Sequence, residues 1–191
     1  MDYFEQERKL PSVPRLLFTA SFWLLIIIYF GIALNTQDAI WFWPVFDAQA
    51  YEIVMNCHGE FSIYRPSTPE HRQLTLLLNE QLSSWKNWDQ LTMSEETYQY
   101  YQTSDDVVVL EYHYSPQVRI HSAYSFYKNV NTLIIPLEGR HSDKNAVFGR
   151  VILKKSPSEV IEYSSTGSFF LGDTKPLIDY LQTQGLCEIK P

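Results

Sequence analysis

Leu16–Leu34, LLFTASFWLLIIIYFGIAL, is a run of nineteen residues without a charged side chain. Twelve of the nineteen are Leu, Ile or Phe, each favouring insertion into hydrocarbon, and Thr19 and Ser21 oppose it only mildly. As a helix rising about 1.5 Å per residue the run covers roughly 28 Å, close to the ~30 Å apolar core of a bilayer. A helix satisfies its own backbone hydrogen bonds where water is absent. A buried core helix is the rival reading, but the run has no polar face to turn to solvent. The expectation is one transmembrane helix over 16–34, with the lipid bilayer as a partner.

The flanks set a direction. Arg8, Lys9 and Arg15 precede the run, whereas Asp38, Asp47 and Glu52 come before the next base, Arg65. The positive-inside rule puts residues 1–15 in the cytoplasm as a short tail and everything after about residue 36 outside. Trp41 and Trp43 then suit the headgroup layer on the exit side, with Arg15 on the entry side. Ala48-Gln49-Ala50 has the small-x-small pattern of a signal cleavage site, yet it lies too far beyond the apolar run. An uncleaved signal anchor is therefore expected, in a cell inner membrane. Gly31 has no small residue four positions away within the run, so a helix-pairing motif is lacking.

Beyond a juxtamembrane connector at 35–50, residues 51–191 are long enough for one domain with its own core. The chain of 191 residues is 45% hydrophobic and 19% charged, in the range of globular proteins. Residues 35–115 hold twelve acids against three bases, net −9, while residues 116–191 hold seven acids against nine bases, net +2. So acidic a domain is a poor match for nucleic acid.

The expected fold class is α+β: a single N-terminal transmembrane helix, then one soluble domain with a mainly antiparallel sheet and two to three helices on one face. Ser67-Thr68-Pro69-Glu70 opens a helix, and Leu74, Leu77, Leu78, Leu82 and Trp85 fall on one side of it, with Trp88 continuing the stripe. Ser94–Gln102 reads as a second helix. Val107–Tyr114 reads as a strand that Pro116 ends. Val118, Ile120, Tyr124 and Phe126 alternate with polar residues as a further strand. Thr132–Leu137, Ala146–Lys154, Val160–Tyr163 and Ser168–Leu171 follow as strands. A last helix is capped by Asp173 or Thr174 and stopped at Gly185, and Leu186–Ile189 reads as an edge strand.

Cys57 and Cys187 lie near the two ends of the outer domain, and in an oxidising compartment they are candidates for a disulfide, with two buried thiols as the rival. A metal site built from Cys57, His58, His71 and Cys187 lacks ligand spacing. His141, Ser142 and Asp143 are triad residue types, but a triad converges from separate places and these are consecutive. No phosphate-cradling loop is present. No catalytic, cofactor or metal residue is therefore assigned.

One constellation has site character. Arg119 and His121 share the polar side of one expected strand, Arg140 and His141 sit in the loop after the next, and Arg150 and Lys154 share the strand after that. If those strands are neighbours, the six form a basic face for an anion or an acidic partner segment. The functional expectation is a non-enzymatic, single-pass envelope protein whose outer domain binds a protein partner, as an accessory or assembly factor of a membrane complex. A membrane-anchored hydrolase would require convergent His and carboxylate groups in a pocket. A ligand-sensing domain is weakened by a cytoplasmic tail of only fifteen residues. The lack of any N-x-Ser/Thr sequon agrees with a bacterial envelope protein.

Overall fold

The computed structural model describes residues 12–83, 87–89, 91–124, 129–156 and 159–189, with the backbone alone at 87–89, 153–156 and 159–166. The apolar run forms helix α1, Val13–Thr36, with Pro14 in its first turn and Gln37 in a left-handed conformation at its end. At 24 residues it extends about 36 Å. None of its most apolar window is buried against the rest of the protein, so it is long, apolar and bare enough to cross a membrane.

Among the described residues, the domain that follows is a seven-stranded antiparallel sheet with three α-helices. Its elements are β1 (Glu52–Cys57), β2 (Glu60–Tyr64), α2 (Pro69–Leu82), β3 (Asn87–Asp89), α3 (Glu95–Thr103), β4 (Val108–Val118), β5 (Val130–Glu138), β6 (Ala146–Ser156), β7 (Glu159–Phe170) and α4 (Lys175–Thr183). The spatial order is β2-β1-β4-β5-β6-β7-β3, with β4 to β7 a meander and β3 a three-residue strip on the far edge. This is the α+β architecture expected.

Alternation along β4 decides what each face of the sheet meets. Val108, Leu110, Tyr112 and Tyr114 join the main core, which α2 fills with Leu74, Leu78 and Leu82 and α4 with Leu177 and Leu181. The Tyr112 hydroxyl donates to the carbonyl of Leu74 at 3.1 Å and so ties sheet to helix inside that core. Val109, on the opposite face, joins a smaller core with Met93, Tyr101, Ile134 and Phe148 under α3. The helices thus cover both faces rather than one. The second face is apolar at one end of β4, and an uncovered apolar patch there would be costly.

Local chemistry explains most element ends. Thr68 caps α2 by accepting from the His71 N–H at 3.2 Å, with Pro69 in the first turn. Ser94 caps α3 in the same way through Thr97. The β1–β2 hairpin turns through His58 and Gly59, both at positive φ (51° and 87°), as a two-residue turn with the strand twist requires. The stripe on α2 buries Leu74, Leu78 and Leu82 fully and Leu77 in part. Trp85 and the side chain of Trp88 lie outside the described residues.

Four expectations need correcting. Pro116 does not end β4: the Ser115–Pro116 bond is cis and the register with β5 shifts between His113 and Val118, so the strand continues past the missing N–H. Residues 119–124 form a loop, not a strand, held by contacts to residues 37 and 38; residues 125–128 lie outside the described set. Ser168–Phe170 is the end of β7, which runs on from 159 with a register shift at Gly149/Arg150. Leu186–Ile189 has no strand pairing, and Cys187 and Ile189 bury into the main core instead. Strands β1, β2 and β3 have no counterpart among the expected elements, although GEFSIY after His58 carries a hairpin's turn and alternation.

Residues 35–50 pack against the domain. Phe46 and Ala50 belong to its core, and Ser83 Oγ accepts from Phe46 N–H at 2.9 Å. The Ala50 carbonyl lies 2.9 Å from His71 Nε2, which is buried. Cleavage after Ala50 would strip the domain of these contacts.

Candidate functional site

The second face of the sheet turns polar along β4, where Glu111 and His113 follow Val109 on the same side. A single acid inside VVVLEYHY has to be paired or neutralised, because an isolated buried carboxylate is very costly. Helix α3 meets this need. Glu95, Tyr98 and Gln102 sit at i, i+3 and i+7 and share one helical face. Gln102 Nε2 donates to Glu111 Oε1, and the Tyr98 hydroxyl also bonds the carboxyl. From β6, Arg150 enters beneath Tyr98, its guanidinium 4.0 Å from the ring centroid, and its Nη2 reaches Glu95 Oε2 at 2.8 Å.

The ionisation states follow from burial. Glu111 is 4% exposed, and desolvation pushes its pKa up to about 7 against the opposing pull of Arg150, Gln102 and Tyr98. Glu95 sits closer to water. Desolvation is the largest single effect and raises its pKa, but the hydrogen bonds from Arg150 and Gln99 and the charge of Arg150 together outweigh it and hold the carboxyl below the usual range. Arg150 is therefore the internal cation for one carboxylate at the rim and a second beneath it.

His113 extends this cluster into a cleft of about 850 Å³ between α3 and the sheet. Its Nε2 lies 3.6 Å from Glu111 Oε2, its Nδ1 lies 3.3 Å from Thr132 Oγ1, and its ring stands 6.2 Å from that of Tyr51. The cleft takes Tyr51 and Val54 from β1 and the residue before it, Tyr98 and Gln102 from α3, and Glu111 and His113 from β4. Asn131, Thr132 and Ile152 close the far side. A volume of this size falls in the range of small-molecule sites. His113 and Glu111 do converge in it. The hydroxyl that His113 touches belongs to Thr132, which is only 1% exposed, so the geometry suits binding better than nucleophilic attack.

Of the six residues expected to form one basic face, the five whose side chains are described are divided among three places. Arg119 Nη1 donates to the carbonyl of Gln37 at 2.7 Å, and His121 Nδ1 lies 2.8 Å from Asp38 Oδ2, so both hold the exit of α1 against the domain. Arg140 stands over the Tyr100 ring at 5.2 Å, and His141 Nδ1 lies 2.8 Å from the Tyr101 hydroxyl. Burial and the neighbouring Arg140 and Lys144 lower the His141 pKa. Arg150 is 2% exposed and cannot present its charge to solvent. The Lys154 side chain lies outside the described residues. A sheet-face argument placed these cations by strand period, whereas α3 and the helix exit are their actual partners.

Cys57 and Cys187 form a disulfide with Cα atoms 5.8 Å apart. His58 is close by, with potential ligand atoms of the three residues within 4.8 Å. Both sulfurs are bonded to each other, and His58 Nε2 faces the Glu188 carbonyl at 2.9 Å and Glu138 at 3.5 Å. The convergence is that of a staple joining β1 to the C-terminal segment. His71 belongs elsewhere, at Ala50. His141, Ser142 and Asp143 lie in and beside a short 3-10 helix, where Ser142 Oγ donates to Gly139, not to His141. Of the membrane-interface residues, Arg15 and Trp43 are exposed and Trp41 is half-buried beside the end of α1.

Comparisons with protein-family models, with curated proteins and with solved structures find no match for this chain. What the fold and the site define is a class: an α+β domain carried on one apolar helix, with a polar cleft on one sheet face.

Proposed function

We propose that this is a single-pass inner-membrane protein, N-terminus in the cytoplasm, whose outer domain binds a protein partner through the open edge strand β2. The observation that carries the reading is the exposure of Phe61 (50%) and Ile63 (55%) on that strand. Among the described residues β2 pairs only with β1, so its other side offers a row of backbone donors and acceptors. Ile63 pairs with Val54 and Phe61 with Asn56, which puts both side chains on the face that carries the cleft. Large apolar side chains beside an unpaired edge suit strand addition by an extended segment of a partner. An accessory or assembly role in a membrane complex fits the anchor and the lack of catalytic spacing. The basic flank before α1 and the acid after it support the orientation.

Site-specific photo-crosslinking in membranes tests this. A crosslinker at position 61 or 63 should trap one defined protein, and one at Leu76, exposed on α2, should not. Phe61→Lys with Ile63→Lys should abolish co-purification in mild detergent without lowering Tm. Purification of the unaltered chain alone and monomeric, with no crosslink from 61 or 63, would sink the reading. A reporter fused to the C-terminus that is active only outside the cytoplasm checks the orientation separately.

A further inference from the structure

The cleft between α3 and the sheet asks for an occupant of a particular charge. Among the described residues its lining includes no lysine and no arginine. The amide side chains that would read a neutral polar ligand are engaged. Asn131 Nδ2 donates to the Ile152 carbonyl at 2.6 Å and its Oδ1 accepts from Ile152 N–H at 2.8 Å, while Gln102 Nε2 is spent on Glu111. What the cleft does offer is a carboxyl at its floor and tyrosine rings at its rim. Tyr51 is 47% exposed beside His113, and Tyr98 faces the same space. The walls come mostly from residues 35–115, the part of the chain with net charge −9, so the surrounding field favours a cation.

We propose that this cleft is a binding site for a small ligand bearing an ammonium group, with Glu111 as the counter-ion and Tyr51 and Tyr98 as aromatic walls. Aromatic faces and a carboxylate together are the chemistry that recognises ammonium centres. The proposal is independent of strand β2, and either can fail without the other.

The charged and titratable groups that face Glu111 are Arg150 from β6, Glu95 and Tyr98 from α3, and His113 from β4. Burial keeps Glu111 half-protonated near pH 7 against the pull of Arg150, which also pairs with Glu95. An incoming ammonium binds the ionised form, so binding at pH 6 should release about one proton per site, and affinity should fall about tenfold per pH unit below about 7.

The test is isothermal titration calorimetry of the full chain in uncharged detergent, with choline and butane-1,4-diamine as probes and glucose and acetate as controls. Saturable binding of at least one amine is expected, with a heat that depends on the buffer's ionisation enthalpy. Glu111→Gln should weaken it by more than about thirtyfold, since the ligand's charge loses its partner. Tyr51→Ala, a change at an exposed side chain, should weaken it roughly tenfold and leave Tm unchanged. If Glu111→Gln does not fold, Tyr51→Ala and the pH profile decide. No saturable amine binding, binding that survives both substitutions or is pH-independent between 5 and 8, or binding of glucose or acetate instead, overturns the proposal.

Discussion

Asp38 Oδ2 lies 2.8 Å from His121 Nδ1 where the apolar helix ends and the folded domain begins. The two residues are 83 positions apart, so the contact belongs to tertiary structure alone. Arg119 adds a second tie to the carbonyl of Gln37. The Asp38 side chain is 6% exposed, and it also accepts from Ile40 N–H. Removing its partner leaves a buried carboxylate short of a hydrogen bond, which costs about 1–3 kcal/mol. His121→Ala should therefore lower stability by that order and speed amide exchange over residues 37–43, while exchange in β4 to β6 stays unchanged. Equal acceleration everywhere would show that the contact is not a local clamp.

Glu111 sets a pH dependence whose sign can be worked out. In the folded chain its proton stays on to about pH 7, whereas an unfolded glutamate loses it near 4.5. Between those values the folded state binds more protons, so stability falls as pH rises and levels off above about 7. At about 1.4 kcal/mol per unit the full loss is roughly 3 kcal/mol. Glu111→Gln should erase this slope and make the protein more stable than the unaltered chain at pH 8, since Arg150 keeps Glu95. Denaturant midpoints at pH 5 and 8 provide the check, and a Gln variant with the same slope would contradict it.

Cys57 and Cys187 close a loop with a sequence separation of 130. Replacing both by alanine should cost about 2–5 kcal/mol, chiefly by freeing the unfolded chain. Alkylation of natively purified protein before and after reduction shows the bond directly: two reactive thiols without reductant would refute it.

Asn56 is 3% exposed and joins the β1–β2 turn to the end of α3. Its Nδ2 donates to the carbonyls of Tyr101 and Ser104, and its Oδ1 accepts from Gly59 N–H at 2.8 Å. Asn56→Ala leaves helix-end carbonyls and a turn amide without these partners, and should cost about 2 kcal/mol or more. Asn56→Asp keeps the bond to Gly59 but sets a buried carboxylate oxygen against two carbonyls, so at neutral pH its cost should exceed that of alanine. A cost under half a kcal/mol for alanine would mean that water replaces the amide.

Sequence alone determined the parts of this protein that depend on near neighbours. The run at Leu16–Leu34 reads as a helix because nineteen uncharged, mostly apolar residues have no polar face, and a helix satisfies its own backbone. Thr68, Pro69 and the leucines of α2 were legible for the same reason, since caps and stripes act within a turn or two. Tertiary structure alone decided where the charges went. The period of a strand says that Arg150 and Lys154 share a side, but not that α3 crosses that side and buries the arginine beneath Tyr98. Likewise, Arg119 and His121 read as part of a basic sheet face until the end of α1 met them. The one available signal for the cleft was Glu111 itself, an acid in an apolar strand whose burial requires partners. Who those partners are depends on elements far apart in the chain, and no local pattern records them.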